Sequence, residues 1–310
     1  MTRILLLTAI ALVVIALAAW FLLGRGVQDV PAAAVDSPYW ADSDRIVEVD
    51  GVNARVRMEG PRNAPAVVMI HGFSHSLESW DDWAADLSSG YRVVRLDLPG
   101  HGLTGPDPQR RYSVDETVTF LGGVLDALDI RRASLVGNSL GGLVAWRYAA
   151  GHPDRVRALV LVAPGGYSIN GVTEDPVAVP MAVNFYLTQA PQAMIGAATS
   201  ALFGDPSRMD PGLPGRVHTM MRRDGVGEAM VQRLEVFTLP DPEADLARVQ
   251  APTLILWGGR DRMIPPEHGR RFDADIPEST LIVHDDLGHI PHEEAPRRTI
   301  GDVREFLEAN

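Results

Sequence analysis

The chain contains no cysteine, which excludes disulfides, a thiolate nucleophile and cysteine-ligated zinc, and leaves its redox compartment open. Internal repeats and low-complexity tracts are absent as well. Basic charge is in deficit: the formal net charge is −12, which disfavours nucleic acid or an anionic membrane surface as an electrostatic partner. Charged residues make up 22% against 46% hydrophobic, a globular rather than a disordered composition. With 310 residues the chain can bury one large core and still carry a substantial insertion.

The one long hydrophobic run lies at the N-terminus. Ile4 to Leu23 has Thr8 as its only clearly polar side chain and is flanked by Arg3 and Arg25. As a helix it would be about 30 Å long, enough to cross a bilayer core. It is long for a signal peptide, and Ala32-Ala33-Ala34 comes late for a cleavage site. Residues 1–25 are therefore expected to be an uncleaved membrane anchor, and 26–41, with Pro31, Pro38 and an alanine run, a tether. The positive charge before the run places the N-terminus in the cytoplasm, and hence the main domain outside the cell membrane.

Beyond the tether, Arg45 to Val49 and Ala54 to Met58 alternate around Asp50-Gly51 and predict a β-hairpin. Ala64 to Ile70 and Tyr91 to Leu96 are apolar runs of the kind expected for strands buried on both faces, and the apolar run from Ala133 into the small-residue turn, Ala158 to Val162, Thr253 to Trp257 and Thr280 to His284 read as further strands. Helical stretches separate them: from Trp80 to Leu87, from a Ser113/Glu116 capping box to about Leu128, after Ser139, and up to Leu307. Strands alternating with helices predict an α/β fold, a mostly parallel sheet with helices on both faces. The core is expected over 42–165 and 247–310. Between them, residues 166–246 lose the rhythm and read as a mainly helical cap insertion, rich in apolar side chains such as Met194 and Met220-Met221.

Gly137-Asn138-Ser139-Leu140-Gly141 joins a strand to a helix. A serine on so sharp a turn needs small residues two positions to either side, and the turn lifts its hydroxyl clear of the sheet. Ser139 is thus the candidate nucleophile. It needs a base, and the base needs an orienting acid. His289, in Leu287-Gly288-His289 after the last strand, is the candidate base. His101 sits in a glycine-rich loop ahead of the serine and reads as structural. Asp261, just past a strand, is the candidate acid, although between Arg260 and Arg262 it could form only a surface ion pair. Glu174 and Asp175 look like loop residues of the insertion. His292, Glu293 and Glu294 could suggest metal ligands, but their spacing also fits a solvated helix start. The backbone N–H groups of Leu140 and Phe73 are placed to receive an oxyanion. No cofactor and no metal are called for.

Taken together, His71-Gly72-Phe73, Asp97-Leu98-Pro99-Gly100-His101-Gly102, Gly137 to Gly142, Gly258 to Asp261 and Gly288-His289 resemble the α/β-hydrolase superfamily over about Asp42 to Asn310. The resemblance implies Ser139 as nucleophile, His289 as base, Asp261 as orienter and the Phe73 and Leu140 amides as oxyanion hole. A serine there departs from haloalkane dehalogenases and epoxide hydrolases, which carry aspartate. Two branches are similar. One is the membrane-anchored bacterial lipases and esterases, acting on lipid or small-molecule esters. The other is the carbon–carbon hydrolases of aromatic breakdown, which share the Gly-Asn-Ser-x-Gly-Gly turn and an Asp-Arg-x-x-Pro run like Asp261 to Pro265. The expected anchor favours ester hydrolysis. A non-catalytic ligand-binding protein on the same fold is the remaining alternative.

Overall fold

The computed structural model describes residues 29–310. The expected anchor, Ile4 to Leu23, lies outside them, and no helix among the described residues is long and apolar enough to cross a membrane.

Eight strands form one sheet: β1 (Asp44–Val49), β2 (Val52–Glu59), β3 (Ala66–Ile70), β4 (Arg92–Leu96), β5 (Ala133–Asn138), β6 (Val156–Val162), β7 (Thr253–Gly258) and β8 (Ser279–His284). Their order is β1-β2-β4-β3-β5-β6-β7-β8. From β4 to β8 every pairing is parallel, while β2 pairs antiparallel with both of its neighbours. The hairpin forms where Asp50-Gly51 predicts it: Val49 faces Val52, and both turn residues have positive φ (47° and 84°), as a two-residue turn matched to strand twist requires.

The helices are α1 (Ala32–Tyr39), α2 (Asp81–Leu87), α3 (Val114–Ala127), α4 (Leu140–Gly151), α5 (Met181–Gln189), α6 (Gln192–Ala201), α7 (Leu213–Met221), α8 (Val226–Glu235), α9 (Glu243–Leu246), α10 (Glu267–Asp275), α11 (Pro291–Glu294) and α12 (Pro296–Ala309). One face of the sheet packs Val68, Leu135, Leu159 and Ile255 against Leu121, Val124, Val144 and Phe272 from α3, α4 and α10. The other packs Val67, Val136, Val160 and Leu254 against Trp83, Leu87, Ile300, Val303 and Leu307 from α2 and α12. Alternate residues of each central strand thus feed opposite layers, which is why those strands read as unbroken apolar runs. The capping box at the start of α3 is formed by Ser113 and Glu116.

Helices α5 to α8 come between β6 and β7 in the chain and own a core of Leu187, Ile195, Phe203, Leu213, Val217, Met221, Val226 and Met230. That core reaches Phe73 and Ile290, so the helical segment rests on the rim where the candidate site residues lie.

Residues 29–41 depart from the expected tether. The alanine run forms α1, and Val35 is fully buried. The Tyr39 carbonyl accepts from Arg55 and Arg57, and Asp36 pairs with Arg223 at 2.7 Å. Val30 bridges to Arg223, and Asp29 accepts from the Gly225 N–H, so the segment lies against the α7–α8 turn. Alanine favours helix, and the anchoring partners lie far off in sequence, out of reach of local pattern.

Candidate active site

Ser139 follows β5 and precedes α4 with φ 52° and ψ −114°, outside the regions an L-residue prefers. Neighbours hold it there: its N–H donates to the Val162 carbonyl, and its own carbonyl accepts from Leu143 and Gly165. The two glycines are demanded by close approach. A Cβ on Gly137 would sit 2.3 Å from the Gly141 carbonyl oxygen, and one on Gly141 only 2.1 Å from that of Ile70. The Leu140 amide lies at the N-terminus of α4, where N–H groups lack intrahelical partners.

The loop after β3 runs against this turn. A Cβ on Gly72 would lie 3.3 Å from Ser139 Cβ, which puts the His71-Gly72-Phe73 backbone beside the serine. His71 is fully buried and shapes the loop: Nδ1 meets the Gly72 carbonyl at 2.7 Å, and Nε2 accepts from the Leu98 N–H at 3.0 Å. Burial pushes its pKa down to about 3, so the ring is neutral with its hydrogen on Nδ1. His101 is also fully buried, edge-on to Phe73 and 5.3 Å from the His71 ring. Burial, with Arg233 nearby, holds it far below the usual imidazole range.

Asp261 divides its carboxylate between two tasks. Oδ1 accepts from the Met263 and Ile264 N–H groups at 2.8 and 3.0 Å, while Oδ2 lies 2.8 Å from His289 Nδ1. Its side chain is fully buried, so the surface pairing that Arg260 and Arg262 would allow is not adopted. A carboxylate acceptor fixes the hydrogen on His289 Nδ1 and leaves Nε2 with a free lone pair. The His289 N–H is tied to the Leu202 carbonyl at 2.7 Å. Glu174 and Asp175 remain exposed in the loop after β6.

Sequence reasoning passed over Asn138. Its amide nitrogen bonds the Val162 carbonyl at 3.0 Å and the His289 carbonyl at 3.2 Å, joining the serine turn to the histidine loop. The signal was a polar residue ending a buried strand. The solvated helix start expected for Glu293 and Glu294 is a correction. Glu294 is 5% exposed, and its carboxylate accepts from the Gly204, Asp205 and Gly288 N–H groups at 2.7–2.9 Å. Glu293 is turned inward too, towards His75 and Arg216.

A serine on a strained turn, a backbone loop beside it and a carboxylate–imidazole pair tied to that turn through Asn138 is the arrangement found at the strand ends of one family. Residues 65–296 match its model, the alpha/beta hydrolase fold. This chain is an alpha/beta hydrolase. The 2-hydroxy-6-oxononadienedioate/2-hydroxy-6-oxononatrienedioate hydrolase 2 of Pseudomonas putida is 33% identical over 246 residues, 73% of this chain and 82% of that protein. A 2-hydroxy-6-oxo-2,4-heptadienoate hydrolase from Pseudomonas putida strain F1 is 30% identical, over 87% of this chain and 98% of the relative. Among solved structures, a membrane phospholipase A described as a bacterial virulence factor has a TM-score of 0.73 at 25% identity, covering 100% of this chain and 99% of that one. Family and relatives alike make this alpha/beta hydrolase a hydrolytic enzyme.

Proposed function

We propose that this alpha/beta hydrolase is a serine hydrolase working through an acyl-enzyme, and that the bond it breaks is a carbon–carbon bond beside a ketone. The observation that carries the serine mechanism is the Asp261–His289 contact at 2.8 Å, on a loop that Asn138 ties to the Ser139 turn. His289 Nε2 removes the Ser139 proton as the hydroxyl oxygen attacks the carbonyl carbon. The Phe73 and Leu140 N–H groups take the charge that develops on the carbonyl oxygen. The carbonyl then re-forms, the bond to the leaving carbon breaks, and His289 returns its proton to the leaving fragment. Water repeats the sequence on the acyl-enzyme and frees the acid. A carbanion leaves a ketone only if it is delocalised, so the dienol must first ketonise, its hydroxyl proton moving to the carbon beside the scissile bond. The departing electron pair then spreads into the resulting enone as a dienolate, whose oxygen takes the proton from His289.

The choice of bond follows the 33% and 30% identical relatives. The sequence favoured esters because of the expected anchor, and the anchor lies outside the described residues. A second reading keeps the ester. It rests on the phospholipase neighbour spanning the whole chain, and on Val177, Met181 and Met194, which are exposed on or near the helical segment as a lipid-facing surface would be. The leaving group is then an alkoxide, no ketonisation precedes it and every other step is unchanged. In that reading the helical segment is the cap through which an apolar substrate enters.

The test presents the full chain with a 2-hydroxy-6-oxo-dienoate, followed by its colour loss, and in parallel with p-nitrophenyl esters of rising chain length, with Ser139→Ala as control. Ser139-dependent loss of the dienoate with weak ester turnover is expected. Strong ester turnover and an untouched dienoate select the second reading. Turnover that survives Ser139→Ala sinks the serine mechanism.

A further inference from the structure

Beside the candidate site lies a buried polar cluster that the mechanism above does not use. His75 belongs to the loop after β3, two residues beyond Phe73, and its ring Nδ1 meets the Phe73 carbonyl at 3.2 Å. A carbonyl oxygen only accepts, so the hydrogen is on Nδ1, and a neutral ring then has its lone pair on Nε2. That Nε2 is buried without a partner and faces Glu293 Oε1 at 3.5 Å, itself buried without a partner. The other carboxyl oxygen, Oε2, accepts from Arg216 of α7 at 3.3 Å. His292 Nε2 is 3.9 Å from Oε1, beyond bonding reach, and its ring is held by stacking on Trp80 at 4.2 Å.

Two acceptors cannot face each other in a dry site without cost; one hydrogen between them turns the repulsion into a bond. We propose that Glu293 and His75 share a single buried proton, and that this bridge positions the oxyanion loop against the loop carrying His289. A small rotation of the carboxyl closes 3.5 Å to bonding distance. The inference rests on the serine-hydrolase reading only for its effect on rate. Glu293 follows His289 by four residues, so the bridge joins the two loops directly, and Arg216 extends it to the helical segment.

The loop has reason to need a hold. Ser74, between Phe73 and His75, has φ 59°, a left-handed conformation that a serine leaves readily unless restrained. The restraints are the His75 N–H to the Gly72 carbonyl, at 3.3 Å, and the His75 ring to the Phe73 carbonyl. Loss of the ring contact lets the Phe73–Ser74 peptide turn, and the Phe73 N–H swings with it. His75 and Glu293 are positioning residues; neither touches the reacting atoms.

Several charges face the bridge. Asp81 and Asp82 of α2 and Asp210 ahead of α7 favour the protonated carboxyl, as burial does more strongly, while Arg216 opposes them. Arg216 and His289 both disfavour charge on His75. Burial sets the Glu293 carboxyl up to about 7 and the His75 ring down to about 4, consistent with one proton residing on the carboxyl. Above neutrality that proton leaves to solvent, and a carboxylate confronts a lone pair.

The experiment follows the pH dependence of Ser139 labelling by a fluorophosphonate, a reaction that needs the oxyanion hole whichever bond the enzyme cleaves. It uses the full chain and Glu293→Gln, Glu293→Ala and His75→Ala. Glutamine donates to His75 and accepts from Arg216 at every pH. Glu293→Gln is therefore expected to label at the wild-type rate near pH 6 and to lack the alkaline fall. The two alanine variants should lose about tenfold to hundredfold in the maximal labelling rate with little change in probe affinity. Infrared difference spectra of wild type against Glu293→Gln should show a protonated carboxyl band at pH 6 that is gone at pH 9. An alkaline fall kept by Glu293→Gln, alanine variants that label like wild type, or absence of the band would each overturn the proposal. If no serine is labelled at all, the serine-hydrolase reading fails, while the infrared band still decides whether the proton is shared.

Discussion

Acidification from pH 7 to pH 5 should cost this protein a large part of its stability, through histidines. His71, His75, His101 and His292 are buried, and burial holds all four neutral, with pKa values lowered to about 3 for His71, to about 4 for His75 and well below the usual range for the other two. In the unfolded chain each regains an ordinary value of about 6.5 and takes up a proton as pH falls. The unfolded state then binds more protons than the folded one, so stability declines as pH drops below about 6.5. Between pH 7 and pH 5 each ring contributes a loss of about 2 kcal/mol, about 8 kcal/mol for the four. Two carboxyls act the other way. Burial raises Glu293 to about 7 and Asp97 to about 6, so the folded state takes up protons there as pH falls. Together they return about 3 kcal/mol, leaving a net loss on the order of 5 kcal/mol. That is comparable with the whole stability of many domains. Urea unfolding at the two pH values measures it directly. His292→Phe gives an internal control: the ring stacks on Trp80 and makes no hydrogen bond, so phenylalanine should be tolerated at pH 7 and remove one ring's share of the loss at pH 5. Equal or greater stability at pH 5, or an unchanged slope in His292→Phe, would refute the reasoning.

Ser139→Ala should abolish turnover while leaving the melting temperature within a few degrees, since the hydroxyl carries none of the bonds that hold the turn. Asp261→Asn should keep the fold and lower kcat by about three to four orders of magnitude, because an amide can turn its NH2 towards Nδ1 and place the imidazole hydrogen on Nε2. Chemical denaturation of Glu294→Ala should show a loss of at least about 3 kcal/mol, as the Gly204, Asp205 and Gly288 N–H groups lose their acceptor together. Gly137→Ala should fail to accumulate as folded protein, because its methyl group would meet the Gly141 carbonyl at 2.3 Å.

What was legible in the sequence was whatever short range enforces. Gly137 and Gly141 announce a turn because backbone occupies the space of their missing Cβ atoms. The β3, β5 and β7 runs announce a parallel sheet because two layers of helices cover them, and that sheet carries Ser139 and Asp261 to one rim. What was hidden depends on partners far along the chain. Glu293 and Glu294 looked solvated because Arg216, Gly204 and Asp205, which draw them inward, belong to another part of the sequence. Residues 32–39 looked like a linker because Arg223 and Arg55, which dock them, cannot be paired with them by pattern. The bond to be cleaved was hidden for a different reason. The serine chemistry is common to esters and ketones, and no motif records the leaving group.

The docked segment at 29–36 also fixes how load passes through the molecule. Asp36 pairs with the Arg223 guanidinium, and the Val30 backbone bonds the Arg222 carbonyl and the Asp224 N–H on either side of it; the guanidinium fills the space beside Gly105, where a Cβ would lie 2.0 Å from Nη1. A pull on the chain ahead of residue 29 therefore reaches the α7–α8 turn before it reaches the sheet. Trimming past Asp36 is for the same reason no neutral shortening. It removes the Asp29, Val30 and Asp36 contacts to that turn together, so a trimmed protein and the full chain should differ first in the stability of the helical segment.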